Sequence, residues 1–366
     1  MRLFDERSQA LREVSLRPRM RVYVCGITPY DSAHAGHAFT YVQFDVLVRY
    51  LRHLGVEVDH VQNVTDLDDD ILRVARERGV DYLELAASET EKFERSMRAI
   101  GVMPASRLPR ASAFVPEIVE EVLVLVAAGH AYERAGTVYF RIATDPDYGS
   151  VSGLSREQML PLAAERGGHP EDPAKDDPLD FVLWQRSVDD EPRWDSPWGQ
   201  GRPGWHIECS TIVRRLLGQP VDVHGGGSDL VYPHHESERA QAEGLPGSEP
   251  FVRHWMHTGM VGLAGAKMSK SLGNLVFVDD LLTRHSPSSV RELLLRHHYR
   301  DDWEFRESDL THASGDPAPQ GLSANKARDA FYAALDDDLD TRRALGVLDN
   351  APPDVIEEGR TLLGLV

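Results

Sequence analysis

The start of the chain alternates between apolar and polar positions in a way that predicts a strand, a tight loop and a helix. Val22 and Val24 give the period of two that is typical of a strand, and a helical period then extends over 41–54 and ends at Gly55. Alternation returns in 56–65. This strand–helix–strand order is how doubly wound nucleotide-binding folds begin.

The later patterns predict a long helical region, a mixed region and a helical end. Helical periods run through 70–130 with a break at 103–109, and 131–200 is rich in Gly, Pro and Asp and combines strands with loops. Residues 275–300 again predict a helix. The Pro, Gly and Ser of 313–325 indicate a linker before a small helical tail.

The composition is that of a folded protein with an excess of acid. The 366 residues include 40 Lys and Arg against 59 Asp and Glu, a formal charge of −19, which disfavours an RNA partner except where basic residues cluster. The length permits one sizeable domain with additions, or two. The start lacks the apolar core of a signal peptide, and no apolar run approaches a membrane span. We therefore expect a soluble cytoplasmic monomer with no membrane partner.

Two histidines lie where the first predicted helix begins, in the segment 34–37 (HAGH). A helix N-terminus has unsatisfied N–H groups and the positive end of the helix dipole, so it binds phosphate readily. Gly36 lets a ligand approach the backbone, and the imidazoles add donors aimed at the same place. The pattern is weak by itself, because two histidines at a helix start are more often solvated or part of the core.

Two further segments support a nucleotide site. The segment 267–271 (KMSKS) puts two lysines on a short loop, which suits a triphosphate whose charge moves to the leaving pyrophosphate, although a solvated basic turn is the alternative. The segment 225–227 (GGG) follows a predicted strand and is a binding-loop candidate, although such a run alone is more often only a loop. Together with the two histidines, the lysine loop favours nucleotide binding.

The motif pair H-x-G-H and K-M-S-K-S resembles the signature of class I aminoacyl-tRNA synthetases, and the residues around it resemble the cysteinyl branch. The loop 25–31 (CGITPYD) is most similar to the cysteine ligases of mycothiol biosynthesis, which join cysteine to glucosaminyl-inositol and form AMP. The resemblance implies an α/β, Rossmann-type nucleotide-binding fold. It implies a catalytic domain over 1–312, with a connective insertion at about 103–200 and a lysine-loop region at about 262–312, followed by a linker and short helical tail over 313–366.

The resemblance also implies a set of residues around Mg-ATP, cysteine and the adenylate. The catalytic residues, which stabilise charge as the carboxylate of cysteine attacks the α-phosphorus, are His34, His37, Lys267 and Lys270. The nucleotide contacts are Gly36, Gly227, Ser228, Asp229, Val261 and Ser269. The substrate contacts are Thr28, Thr40, Asn63, Thr65 and Trp205, of which Trp205 would otherwise be a good core residue. The four acids of 66–70 stay unassigned, because carboxylates at a solvated helix start are commoner than a metal site.

A zinc site is the remaining candidate, formed by Cys25, Cys209, His234 and Glu238. His234 and Glu238 are four apart, which puts both on one face of a helix. Two thiols, an imidazole and a carboxylate suit zinc, although each residue alone is more often a buried thiol or a solvated imidazole. By resemblance the four fall on the zinc positions of the synthetase family. Zinc would select cysteine over serine, because it binds a thiolate strongly and a hydroxyl weakly.

Two residues depart from the pattern of the resembled ligases, Glu238 in the candidate zinc site and His169 in the insertion. Glu238 matches the tRNA synthetases, whereas the ligases use three protein ligands, so Glu238 is either a fourth ligand that yields to substrate or a nearby base. His235 is adjacent to His234 and is the less favoured imidazole. His169 stands where the ligases carry an acid in E-R-G-G-D-P, which leaves the role of that acid open.

The acceptor of cysteine distinguishes the possible functions. A cysteinyl-tRNA synthetase carries a C-terminal domain for the anticodon, and only about 26 residues follow Asp340, so we expect a small-molecule acceptor. Glucosaminyl-inositol is the favoured acceptor, and a ligase for another small amine or a cysteinyl-tRNA synthetase catalytic unit are the alternatives. A non-catalytic relative that binds cysteine or nucleotide is disfavoured, because a binding module has no use for groups matched to pyrophosphate departure.

Overall fold

The computed structural model of the protein describes residues 1–188, 191–268, 273–310 and 322–365. Its strands and α-helices, in chain order, are β1 (Arg2–Asp5), β2 (Ala10–Glu13), β3 (Arg19–Ile27), α1 (Ala35–His53), β4 (Glu57–Val64), α2 (Asp69–Arg78), α3 (Tyr82–Ala99), α4 (Val115–Ala127), β5 (Ala131–Arg134), β6 (Thr137–Phe140), α5 (Arg156–Glu165), β7 (Phe181–Arg186), β8 (Gly201–Pro203), α6 (Trp205–Leu216), β9 (Val223–Gly227), α7 (Glu236–Glu243), β10 (Trp255–Thr258), β11 (Val261–Leu263), β12 (Ala266–Lys267), α8 (Val278–Leu282), α9 (Pro287–Leu295), β13 (Trp303–Glu304), α10 (Ala324–Asp336), α11 (Thr341–Leu348) and α12 (Pro353–Leu362).

A parallel sheet in the order β10–β9–β3–β4 forms the centre of the fold. The side chains of Val22 and Val24 in β3 are fully buried, because helices cover both faces of a parallel sheet. Val22 pairs with His60 of β4 on one side and with Val223 of β9 on the other. The strands predicted at Val22 and Val24 and in 56–65 are confirmed as β3 and β4.

Helix α1 packs against this sheet with most of its length buried. It begins at Ala35, six residues before the predicted start at 41, because Nδ1 of His34 accepts a hydrogen bond from the backbone N–H of His37 and so caps the helix. It ends at His53, and Gly55 then has a φ of 82°, the left-handed conformation that glycine adopts easily. The strand–helix–strand unit is therefore confirmed, with its helix start beside the carboxyl ends of the strands.

A second, antiparallel sheet in the order β5–β6–β7–β8 lies within the region predicted as an insertion. It packs with α4 and α5 around a core of its own that includes Phe140, Leu183 and Trp184. Tyr232 of the nucleotide-binding half joins the same core, so the two sheets share a packed boundary. The limits of the insertion and of the other domains stay a prediction.

The helical tail, α10 to α12, packs on α1 and α9. The fully buried Arg291 fixes this contact: its Nε donates to the carbonyl oxygen of Leu363 at 2.6 Å, its Nη1 to that of Ile100 at 3.1 Å, and its Nη2 is paired with the carboxylate of Asp45. One guanidinium therefore joins the end of the tail to the first helix of the nucleotide-binding unit.

The helical character predicted over 275–300 is confirmed for the residues of α8 and α9. The structure has two helices there, α8 and α9, because the side chain of Ser286 caps a new helix and Pro287 occupies its first turn. Across the described ranges, no helix has both the length and the apolar character needed to cross a membrane.

Candidate active site and metal centre

A cavity of about 1300 Å³ opens at the carboxyl ends of the parallel strands. Gly26 and Ile27 at the end of β3 line it, together with Gly227 at the end of β9 and Gly259 just after β10. This edge is where open α/β sheets bind their ligands. Residues of the antiparallel sheet and the loop after α5 form the facing wall.

The start of α1 presents two imidazoles to the cavity. The rings of His34 and His37 are stacked with their centroids 3.7 Å apart. A Cβ at Gly36 would lie 3.0 Å from the His34 ring, so glycine leaves that ring room beside the helix. Imidazole donors and the first N–H groups of a long helix at one place form the arrangement that phosphate oxygens require.

The predicted nucleotide contacts are only partly described. Ser269 and Lys270, and the side chain of Lys267, lie outside the described residues, so their roles stay predictions. Val261 and Met268 are buried and line the cavity at the rim formed by β11 and β12.

The glycine run at the end of β9 allows close packing of backbone. A Cβ at Gly225 would lie 1.6 Å from the carbonyl oxygen of Met256 on the neighbouring strand, which no side chain could tolerate. Gly227 and Asp229 line the cavity, whereas Ser228 lies in the turn between them and is outside the lining residues.

The predicted substrate contacts fall into two layers. Thr28, Thr40 and Trp205 line the cavity. Asn63 and Thr65 lie behind them: Asn63 accepts a hydrogen bond from the N–H of Gly26 at 2.8 Å, and the hydroxyls of Thr65 and Thr28 are 3.0 Å apart. These two residues therefore hold the end of β3 in place, and a direct contact with substrate stays a prediction.

The four predicted metal ligands converge beside the cavity, and all are nearly inaccessible to solvent. Oε1 of Glu238 lies 3.0 Å from Nε2 of His234 and 3.4 Å from Sγ of Cys25, and Sγ of Cys209 accepts a hydrogen bond from the side-chain amide of Asn63 at 3.3 Å. His234 lies in the π-helical turn that runs directly into α7, and Glu238 lies in α7. The predicted placement of both side chains on one helical face agrees with the 3.0 Å between Nε2 of His234 and Oε1 of Glu238.

Three further histidines surround these ligands: the sequence indicated no role for His206 or His224, and it made His235 only the less favoured alternative to His234. His224 at the start of β9 places Nε2 3.1 Å from Oε2 of Glu238, and the ring of His206 has Nδ1 2.9 Å from Nδ1 of His234. His235 places Nε2 3.2 Å from Sγ of Cys25. The ligand atoms of Cys25, His234, His235 and Glu238 all lie within 4.8 Å of one another, so this group contains His235 but not the predicted ligand Cys209.

The pKa values of the cluster show strong electrostatic coupling. Burial lowers the pKa of His234, but the charges of Glu238 and Cys209 outweigh burial and raise it to about 10. Burial raises the pKa of Glu238, but His224 and His234 lower it to about 2. Burial likewise raises the pKa of Cys209, whereas contacts with Cys25 and His234 lower it to about 6. The raised pKa of His234 and the lowered pKa values of Glu238 and Cys209 show that these three groups stabilise one another's charged forms.

The cluster suits a bound cation. Nε2 of His234 is buried and, although 3.0 Å from Glu238, has no hydrogen-bond partner among the described residues, so a donor atom points into the cluster unused. Two sulfurs, an imidazole nitrogen and a carboxylate oxygen are the donor set of tetrahedral zinc. The ring of Trp205 stacks on His234 with the centroids 4.2 Å apart, which places the cluster directly against the cavity lining.

Comparison with known proteins gives one family. Residues 12–315 match the family described as tRNA synthetases class I (C) catalytic domain. The chain is 46% identical over 358 residues to a Thermomonospora curvata protein named L-cysteine:1D-myo-inositol 2-amino-2-deoxy-alpha-D-glucopyranoside ligase, covering 95% of this chain and 86% of that protein. A Kribbella flavida protein of the same name is 44% identical over 360 residues, covering 95% and 89%.

Solved structures agree on the fold. The chain is similar to Mycobacterium tuberculosis methionyl-tRNA synthetase in complex with methionyl-adenylate, with a TM-score of 0.67, 16% identity, and coverage of 95% of this chain and 82% of that one. It is also similar to a ternary complex of Agrobacterium radiobacter K84 LeuRS, tRNA and LeuAMS, with a TM-score of 0.63, 12% identity, and the same coverage. The predicted class I synthetase-type α/β fold is therefore confirmed.

Proposed function

Because the chain belongs to the L-cysteine:1D-myo-inositol 2-amino-2-deoxy-alpha-D-glucopyranoside ligases of the class I tRNA synthetase (C) family, we propose that it catalyses the reaction of that name. In the first half-reaction the carboxylate of L-cysteine attacks the α-phosphorus of Mg-ATP, and cysteinyl-AMP and pyrophosphate form. In the second, the amine of the amino-sugar attacks the activated carbonyl, an amide bond forms, and AMP leaves.

The observation that carries this proposal is that a sulfur-binding cluster and a phosphate-binding helix start open into one cavity. Cys25 lies near the end of β3, His34 caps α1 and His37 lies in its first turn, and all three line the same cavity. Cysteine bound by its sulfur at the cluster would have its carboxylate directed towards a nucleotide bound at α1. Adenylation requires this proximity.

Charge stabilisation in the first half-reaction is assigned to the start of α1 and to the lysine loop. The imidazoles of His34 and His37 and the first N–H groups of α1 would contact the phosphate oxygens, where negative charge develops. Lys267 and Lys270 would neutralise the leaving pyrophosphate. Gly227 and Asp229 would lie against the adenosine.

Selection of cysteine is assigned to zinc held by Cys25, Cys209, His234 and Glu238. When bound, zinc supplies a position that prefers a thiolate to a hydroxyl, so serine is rejected without a separate editing site. His224 holds the carboxylate of Glu238, and His206 occupies Nδ1 of His234, so that Nε2 of His234 remains available.

The test is product analysis. Zinc-loaded protein is mixed with ATP, cysteine and either glucosaminyl-inositol or total tRNA, and AMP and the cysteinyl product are measured by mass spectrometry. We expect an amide on the amino-sugar and one AMP for each amide. Cysteine-dependent exchange of pyrophosphate into ATP without that amide would contradict the proposal that the amino-sugar is the acceptor. The absence of exchange would contradict the proposal that the protein activates cysteine.

A further inference from the structure

The cavity is larger than adenylate formation requires. Its volume of about 1300 Å³ exceeds the range of about 300–1,000 Å³ that is typical of small-molecule pockets. The groups proposed to bind phosphate and cysteine lie on the side of the cavity that is formed by α1 and the ends of β3 and β9. The other side is formed by residues 167–175, called here the insertion loop, and by neighbours such as Tyr139 of β6. A third substrate therefore has room beside the adenylate.

The insertion loop presents groups that bind hydroxyls and amines. His169, Glu171 and Asp172 line the cavity, and their carboxylates and imidazole hydrogen-bond to O–H and N–H groups. Single-stranded RNA ends are bound instead by cationic grooves and by aromatic rings on which bases stack. The lysine of this loop, Lys175, donates to a carbonyl oxygen within the loop, and the ring of Tyr139 is buried. A small amine rich in hydroxyls matches this wall.

The loop has a defined internal conformation. Asp172 accepts hydrogen bonds from the hydroxyl of Tyr139 at 2.7 Å and from the N–H of Ala174 at 2.9 Å. His169 adopts a φ of 47°, in the left-handed region that histidine tolerates better than most residues. The groups that face the cavity are therefore fixed relative to one another, and only the placement of the whole loop remains to be set.

Arg166 sets that placement. It follows α5 directly, and its Nη1 donates to the carbonyl oxygen of Asp229 at 2.5 Å and to that of Tyr232. Both carbonyls belong to the segment that follows β9. Gly227, the last residue of β9, lines the opposite side of the cavity. One guanidinium therefore joins the insertion loop to the proposed adenosine side.

We infer that the insertion loop is the wall that binds the amine acceptor, and that Arg166 is a positioning residue that holds this wall against the adenylate. The inference rests on the proposed function, because it concerns only the second half-reaction. Arg166 touches neither substrate in this account. Its loss should affect the capture of the acceptor more than the activation of cysteine.

The experiment compares Arg166→Ala, Arg166→Lys and Arg156→Ala with the unaltered enzyme. Arg156 is the matched control, because it begins α5, the helix that Arg166 directly follows. It pairs with Asp177 at the surface at 2.9 Å and does not line the cavity. Each zinc-loaded protein is assayed for cysteine-dependent pyrophosphate exchange and for the KM of glucosaminyl-inositol in amide formation. Thermal unfolding of each variant shows whether it is folded.

We expect Arg166→Ala to raise the KM of the acceptor about tenfold more than it lowers the rate of pyrophosphate exchange. A factor of about ten corresponds to the loss of one hydrogen bond from a charged group. Arg166→Lys should recover part of this loss, and Arg156→Ala should match the unaltered enzyme. Equal losses in exchange and in acceptor KM, or an unchanged acceptor KM, would overturn the inference while leaving the proposed function intact. If the unaltered enzyme made no amide, the proposed function would fail first and the inference with it.

Discussion

The metal cluster and the insertion loop face the same cavity but are built in opposite ways. The cluster is buried, with Cys209 1% exposed and Glu238 fully inaccessible, and its residues come from β3, α6 and the segment before and within α7. The insertion loop is open to solvent, with the side chains of His169 and Glu171 each 74% exposed. The cluster acts through buried side chains that contact one another, whereas the proposed loop contacts come from exposed side chains whose position depends on the placement of the loop.

The comparison predicts large effects from the cluster and small, selective effects from the loop. A buried group that loses a partner leaves an unsatisfied charge or donor, while an exposed group is replaced by water. The cluster should control whether cysteine is activated at all. The insertion loop should control only which amine receives it.

The largest effect is expected from Cys209→Ser. A hydroxyl is a poor zinc ligand, so we expect loss of bound zinc and a fall in cysteine-dependent exchange of more than about 100-fold, beyond what loss of a supporting residue alone causes. Serine should then be discriminated less well against cysteine. Zinc content by mass spectrometry and exchange rates check this, and retention of zinc would remove Cys209 from the ligands.

His224→Gln tests whether the support of Glu238 matters. Nε2 of His224 lies 3.1 Å from Oε2 of Glu238, and partners of metal ligands typically contribute about 10- to 100-fold in affinity. We expect a zinc Kd raised by that factor in competition with a chelator. His60→Gln is the control, because His60 is also a buried histidine of the parallel sheet, but its Nε2 has no hydrogen-bond partner among the described residues. Equal effects of the two substitutions would mean that burial, not support of Glu238, is responsible.

Asp5→Asn tests how much the hydrogen bonds of Asp5, beside the buried metal cluster, contribute to the free energy of unfolding. Asp5 accepts hydrogen bonds from Trp255 N–H at 3.0 Å, Ser8 N–H at 3.2 Å and Arg12 at 3.0 Å, and the ring of Trp255 lies beside His224. Burial raises the pKa of Asp5, but these donors outweigh it and leave the pKa below its ordinary value of 3.8. We expect a loss of about 2 kcal/mol in the free energy of unfolding at neutral pH.

The sign of the pH dependence follows from the lowered pKa of Asp5. Its contribution is present above the unfolded-state value of about 3.8 and is lost as the pH falls through the lower folded-state value. The difference between the unaltered protein and Asp5→Asn should therefore shrink in acid. Asp337→Asn, which breaks a surface pair with Arg2, is the control and should cost less than about 1 kcal/mol. A difference that grows in acid would contradict the sign.

The smallest effect is expected from Glu171→Gln in the insertion loop. Because its side chain is 74% exposed, we expect the KM of the amino-sugar to rise only about two- to fivefold, with exchange unchanged within error. Glu157→Gln on α5 is the matched control, exposed but outside the cavity lining. A large effect on exchange would mean that Glu171 contributes to the activation of cysteine, which the account assigns to the metal cluster.

The sequence was most informative where chemistry depends on residue type and local period. Alternation at Val22 and Val24 predicted β3, and the four proposed metal ligands were selected because their donor types suit zinc and because they resemble the zinc positions of the synthetase family. It was less informative about helix limits: the cap formed by His34 starts α1 early, and Ser286 starts a second helix within the region predicted as helical over 275–300. Capping by a histidine side chain is not a common helix-start signal.

Contacts made over long sequence distances were missed. His224 occupies a strand position before the glycine run, and its place in the alternation could have marked it as inward-facing, but nothing local pairs it with Glu238. The partners of Arg166 are backbone carbonyls of Asp229 and Tyr232, which no residue-type pattern encodes. The insertion loop could therefore be located in the sequence but not assigned to one wall of the cavity.

The central claim is that one cavity activates cysteine and passes it to a small amine. The most direct test is a single turnover: enzyme-bound cysteinyl-adenylate is isolated by gel filtration and mixed with glucosaminyl-inositol or with total tRNA, and the cysteinyl product is followed by rapid quench. We predict fast transfer to the amino-sugar and none to tRNA. Transfer to tRNA, or only slow hydrolysis of the adenylate with the amino-sugar present, would contradict the account.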